Sequence, residues 1–235
     1  MLYTIALIQL SAFSLFIILE RLFPARQLPR ATNFATWFCI VNIFALIWLR
    51  VVFIAWAELS QGPIKFHVPL LYEGIIFYMI YSFCNYWIHR FKHMNPVLWR
   101  YIHRFHHSPP KMETMVAFFK HPFEIVFNTI CITFLGWLFS MPLEAAAIAL
   151  AIEGCLEVFH HSNIKTPRQL RWIGYIVQTP EMHLVHHQYG LHKYNYVAVL
   201  WDGVFGTARI PAEWSGKQGF NTSFDIKYHF LLKKS

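Results

Sequence analysis

Residues Tyr86–His107 read YWIHRFKHMNPVLWRYIHRFHH, five histidines in 22 residues at the end of an apolar run. His89 and His93 form an HxxxH. Positions i and i+4 share one face of a helix, so both imidazoles can reach one metal ion. Asn85 stands one turn earlier on the same stripe. Asn95-Pro96 predicts a break, and Trp99 to His107 predicts a second helix carrying an HxxHH, His103, His106 and His107. At 100° per residue, His106 and His107 straddle the direction of His103, so this trio could feed two metals at once.

Outward from this stretch the chain is apolar. Of 235 residues, 56% are hydrophobic and 14% charged, against roughly 25% charged in an ordinary soluble domain. A bilayer core takes about 20 apolar residues per helix. Candidate spans run from about Leu2 to Leu19, Phe34 to Ala57, Pro69 to Ile88, Glu124 to Phe139 and Leu143 to Phe159. The expectation is an all-α integral membrane protein with four to five membrane helices and a cytosolic helical cap. Trp37 and Trp56 are placed as interface anchors, and Arg50 is expected to snorkel or pair near the outer surface. The last two spans are short and joined only by Ser140-Met141-Pro142, a tight hairpin that crosses at a tilt or dips in without crossing. The first span lacks a basic leader and a small-residue cleavage site, so it reads as retained.

The net charge of +8 does not form the stripe of a nucleic-acid-binding module. Arg21, Arg26 and Arg30 follow span one; Arg90, Lys92, Arg100, Arg104, Lys111 and Lys120 lie between spans three and four; the later basic residues follow span five. One topology satisfies the positive-inside rule: N-terminus outside, both His-rich regions and the C-terminus cytoplasmic. Cys39, Cys84, Cys131 and Cys155 lie in apolar segments without a CxxC, which predicts buried free thiols.

Of fourteen histidines, only His67 and His229 are isolated. Beyond the first stretch come His121 in KHPFE, His160 and His161 in EVFHHSN, and a second HxxHH at His183, His186 and His187, with His192 five residues on. Imidazole sites without thiolates suit iron, zinc or copper. Eight or more imidazoles exceed the coordination of one ion, so two metals are implied. Glu153, Glu157 and His161 form one stripe at i, i+4 and i+8. Glu157 is either a metal ligand, a group orienting a histidine, or a carboxylate paired with a base at the interface. Pairing is the simpler reading for Glu153 and Glu73.

This series resembles the fatty acid hydroxylase/sterol desaturase superfamily of membrane di-iron enzymes. The resemblance rests on HxxxH, HxxHH, FHHSNI (Phe159–Ile164), TPEMHLVHH (Thr179–His187) and NYVAVLWDGVFGT (Asn195–Thr207), over roughly residues 70 to 210. Val197 departs from the family's usual glycine, which bears on local loop shape. The resemblance divides the chain into N-terminal membrane helices (1–68), a catalytic domain (69–210) and a C-terminal cytosolic tail (211–235). It implies a mushroom-shaped molecule whose cap encloses two non-haem irons. The matching ligands are His89, His93, His103, His106, His107, His161, His183, His186 and His187, with His160 a weaker candidate. Asp202, His121 and Asn195 are implied as polar partners behind the ligands.

A His-ligated di-iron site at the membrane edge implies O₂-dependent hydroxylation of a membrane lipid. Desaturation and ether-lipid oxidation are alternatives within the superfamily. A non-enzymatic metal-binding or transport protein is the alternative outside it, but spans one, two and four carry no His, Asp or Glu in their interiors. No dinucleotide, flavin or haem fingerprint is present, so electrons must come from an external ferredoxin- or cytochrome-type donor with its NAD(P)H reductase. Zinc is an expected substitute in purified protein. The size and the lack of eukaryotic targeting signals suggest a bacterial inner membrane.

Overall fold

Five long helices form a bundle, and one end of it carries the histidines. The computed structural model describes residues 1–27, 33–211 and 216–219. Arg30 and most of the 211–235 tail lie outside the described residues. Helix α1 (Leu2–Leu22) and α2 (Asn33–Ser60) are 21 and 28 residues long, roughly 32 and 42 Å at 1.5 Å per residue. Both are long and apolar enough to cross a bilayer. Trp37, Phe44, Trp48 and Trp56 of α2 are exposed, an outward apolar surface suited to lipid.

Helix α3 (Leu70–Met94) continues past the apolar run and carries His89 and His93. Asn95 ends it, as its spacing predicts. The Asn95 N–H donates to the Phe91 carbonyl, and its Oδ1 accepts from the N–H groups of Val97 and Leu98 at 2.9 and 3.0 Å. One residue thus closes α3 and caps α4 (Pro96–Leu98), with proline at the helix start where no N–H is needed. The regular second helix expected over Trp99–His107 does not form. Trp99–His103 is a π-turn, and a tighter His106 N–H to His103 carbonyl bond follows. Phe105, His106, His107 and Ser108 are consecutive and all buried; a regular helix at a surface buries only one stripe.

Helices α5 (Pro122–Leu138) and α6 (Leu143–His161) make the predicted hairpin. At 17 and 19 residues they reach roughly 26 and 28 Å, just under the ~30 Å hydrocarbon thickness. Ser140 turns the corner at φ +47° and donates to the Gly62 carbonyl. Short helices α7 (Pro180–His186) and α8 (Val199–Val204) and 3₁₀ turns at Thr114–Phe118 and Arg168–Tyr175 form the cap. Among the described residues the only β feature is an isolated Gln188–Gln218 bridge.

Helix α6 packs between α3 and α1, and α2 packs on α5. Two glycines permit close approach: a Cβ on Gly74 would meet the Ile148 side chain at 2.7 Å, and one on Gly154 would meet Gln9 at 2.8 Å. Phe77, Tyr81, Ile132, Met141, Ala145, Ala146 and Ala149 fill the core. The four cysteines are unpaired, Cys39 buried and the others half-buried. Glu20, at the end of α1, is buried and accepts from the backbone and hydroxyl of Thr114 and from the Asn163 N–H. Asn42 of α2 donates to the carbonyls of Phe118 and Lys120. These bonds tie the first two helices to the His-bearing end. The opposite end is closed by Ile64 on Leu138 and by stacked Phe66 and Phe139. The two His-rich regions share one end of the bundle, as the charge pattern demanded.

Candidate metal centre

Nine of the predicted imidazoles form two groups. His89, His93, His103, His107 and His186 make one; His106, His161, His183 and His187 make the other. Each HxxHH divides in the same way. Its first and last histidines, at i and i+4, enter one group, and the middle one, at i+3, enters the other. In the second motif, on α7 and its C-cap, helical geometry explains the split, because i and i+4 lie about 40° apart while i+3 and i+4 lie about 100° apart; the first motif reaches the same division through the π-turn and the tighter turn that follows it. The two motifs are used in opposite senses, so each supplies two ligands to one group and one to the other. The groups adjoin: the His107 and His187 rings stack at 4.1 Å.

Within the five-imidazole group, Nε2 of His103 lies 2.8, 3.1 and 3.2 Å from Nε2 of His89, His93 and His107, and His186 lies 3.1 Å from His89. In the other group, His161 lies 3.3 Å from His106 and 3.0 Å from His183. These contacts cannot all be hydrogen bonds, since a neutral imidazole has one N–H. In three of these rings that N–H is committed elsewhere, while Nδ1 of His93, His107 and His183 is buried without a hydrogen-bond partner. Nδ1–H of His103 donates to Glu124 Oε1 at 2.7 Å, that of His186 to the Tyr194 carbonyl at 2.8 Å, and that of His161 to the Glu157 carbonyl at 2.8 Å. Those three rings turn bare Nε2 lone pairs towards their neighbours. Metal–nitrogen bonds of about 2.0–2.1 Å would set such nitrogens roughly 2.8–3.4 Å apart for octahedral to tetrahedral angles, and the observed spacings fall in that range. His187 Nε2 is likewise buried without a hydrogen-bond partner. The residues fit two metal ions.

Protonation agrees. Burial pushes His106, His107, His183, His186 and His187 well below the ordinary imidazole value, and His161 down to about 3. The rings are held in the neutral form that binds metal.

The remaining predicted residues divide. His160 sits with Glu157 and His161 in a third group that shares His161 with the four-imidazole set. Glu157 is paired with Lys120 and has its other oxygen 3.5 Å from His160, so it is both a base-paired carboxylate and a neighbour of the ligands. Asp202 does not touch an imidazole. It accepts from the N–H groups of Tyr196 and Val197 and from Thr207 Oγ1, and so shapes the closing loop. Asn195, at φ +52°, donates to the carbonyls of Met182 and Arg209 and accepts from the Arg209 N–H, pinning that loop beside His183. The left-handed position is Asn195, and Val197 needs no glycine conformation. His121 caps α5, its Nδ1 accepting the Phe123 N–H, and belongs to no metal-holding group. Arg50 does not snorkel outward; it lines an internal cavity, with its Nε buried.

Three contributors were given no role in the sequence reading. Glu124, 1% exposed, joins His103 to Lys92, whose Nζ lies 2.8 Å away. His192 donates to the His186 carbonyl and packs 4.7 Å from the His107 ring. Glu20 is the third. Glu124 follows His121 by three residues, at the start of α5, and its place beside the cluster was the available signal.

A cavity of about 440 Å³ runs from His89, His103, His106, His161 and His183 into the bundle, between apolar side chains that include Leu46, Met79, Ile152 and Leu156. A helical bundle with two helices long enough to cross a bilayer, and with paired His-rich groups that could hold metal over a largely apolar cavity, defines the class as a membrane protein with a candidate two-metal site. The sequence matches the fatty acid hydroxylase family over residues 74–207, more than half its length, and the chain belongs to that family. No curated protein and no solved structure gives a significant match.

Proposed function

We propose that this protein is an O₂-dependent lipid hydroxylase with a non-haem di-iron centre. The observation that carries the reading is the convergence of nine neutral imidazoles, eight of them buried, in two adjoining groups at the mouth of a largely apolar cavity. Two reduced irons held there would supply O₂ activation and hydrogen abstraction from an unactivated C–H bond. In overall balance one oxygen atom enters the C–H bond and the other leaves as water, taking two electrons and two protons.

The chain's residues provide the setting. Leu46, Met79, Ile152 and Leu156 hold a hydrocarbon chain against the His-bearing end and exclude water. Glu124 and the carbonyls of Tyr194 and Glu157 hold Nδ1–H of His103, His186 and His161, which fixes the ring orientation. The electron donor is external, of ferredoxin or cytochrome type. The topology this reading adopts puts the N-terminus outside and the histidines and C-terminus in the cytoplasm of a bacterial inner membrane. All metal-holding groups among the described residues lie at one end of the bundle, which favours surface-edge chemistry over metal transport. The test is to load the purified protein with iron, supply air and a reductant system, and profile membrane lipids by mass spectrometry. Products 16 Da heavier are expected; products 2 Da lighter would move the reading to desaturation, and unchanged lipids would end the enzyme reading.

A further inference from the structure

Below the metal-binding end, the cavity meets polar groups the hydroxylation chemistry does not use. Glu157 is already engaged by Lys120 and His160. One turn deeper on α6, Glu153 is 9% exposed and lines the cavity, and its Oε1 accepts from Asn85 Nδ2 at 3.2 Å. Arg50 of α2 lines the same space. Its charge acts on Glu153, yet its Nε is buried without a hydrogen-bond partner. An arginine inside an apolar helix is costly and is retained where it meets a specific partner. Between this level and the imidazoles, α6 carries Glu157, which also lines the cavity and is paired with Lys120.

We infer that Arg50, Glu153 and Asn85 form a subsite for a hydroxyl group on the substrate, which is therefore an oxygenated lipid and not a plain hydrocarbon. This rests on the hydroxylase reading and narrows its substrate class. Lys120 and Glu157 satisfy each other, which leaves Arg50 and Glu153 as one positive and one negative group at this level. A carboxylate would face Glu153, and an ammonium would face Arg50. A hydroxyl carries both a hydrogen for the Glu153 carboxylate and lone pairs for the Arg50 guanidinium. Glu153 and His161 are eight residues apart on one helix face, which puts the anchored hydroxyl about 12 Å from the metal-binding end.

The test uses iron-loaded full-length protein in detergent and the binding of labelled hexadecanol, competed by unlabelled hexadecanol, hexadecane or hexadecanoic acid. Hexadecanol should compete at least about tenfold better than hexadecane, the factor a hydrogen bond to a charged group supplies. The preference should fall towards one in both Glu153→Gln and Arg50→Met, with two irons still bound. Equal competition by alkane and alcohol in the wild type would mean that the polar groups hold only water, and would overturn the inference without any variant. Stronger competition by the acid would overturn it as well. If the variants oxidise lipid and still prefer the alcohol as the wild type does, the subsite is wrong and the hydroxylase reading stands. If the alcohol preference appears and the variants abolish it, but no lipid is oxidised, the subsite stands and the hydroxylase reading falls.

Discussion

Glu124→Gln separates the electrostatic support of the metal centre from its shape. Glu124 uses a single oxygen, Oε1, for both Lys92 Nζ at 2.8 Å and His103 Nδ1 at 2.7 Å, while Oε2 is buried without a partner. A glutamine can keep its oxygen in the Oε1 position and turn its amide nitrogen to the empty side. The geometry then survives and only the charge is lost. Lys92, 3% exposed, becomes an uncompensated buried cation, at a cost of about 3–5 kcal/mol in stability. His103 loses the carboxylate that raises its basicity as a ligand, and supports of this kind are worth about 10- to 100-fold in metal affinity. Thermal unfolding of the metal-free protein reads the first effect, and titration of iron against a chromogenic chelator reads the second. The double variant Lys92→Met, Glu124→Gln removes the stranded charge. It should regain most of the stability and keep the weakened iron binding. If Glu124→Gln binds both irons as tightly as the wild type and loses only stability, Glu124 is an ion-pair partner alone, and its proposed role behind His103 is refuted.

Three more outcomes follow from the same geometry. His106→Ala and His187→Ala each remove a ligand from the four-imidazole group and leave the five-imidazole group intact, so bound iron should drop from two towards one with loss of activity; metal analysis showing two irons and full turnover would contradict the ligand assignment. The metal-free protein should lose stability as pH falls below about 6.5. The buried imidazoles have depressed values, His161 at about 3, while the unfolded chain takes up protons near 6.5, so stability is complete above that value and declines below it towards 3. Each imidazole contributes about 1.4 kcal/mol per pH unit in that window, and an unfolding temperature equal at pH 7.5 and 5.5 would show that the rings are not held neutral. Asn195→Ala should cost about 3 kcal/mol, because it strands the carbonyls and N–H that Asn195 bonds and forces alanine into a left-handed conformation; Asn195→Gly should recover only the conformational part, as chemical denaturation would show.

The long helices, the end of the bundle that carries the histidines, and a supply of imidazoles large enough for two metals were legible in the sequence. Those properties follow from local rules. Apolar length sets a helix, Asn95-Pro96 ends one and starts the next, and i, i+4 spacing puts His89 and His93 on one face. Tertiary structure decided which imidazole serves which site, because His186 joins His89 across the fold while His183 joins His161, and no spacing within one helix records that pairing. It also decided the fate of the buried charges. Arg50, Glu20 and Glu124 looked alike as polar residues in or beside apolar helices, and their roles emerged only when α2 packed on α5 and α6 on α1 and α3. A buried charge must find its partner across the fold, so its role depends on residues far away in the chain. Similarly, Asp202 and Asn195 proved to be braces of the closing loop, since the groups they satisfy are backbone N–H and C=O positions that a sequence motif does not display.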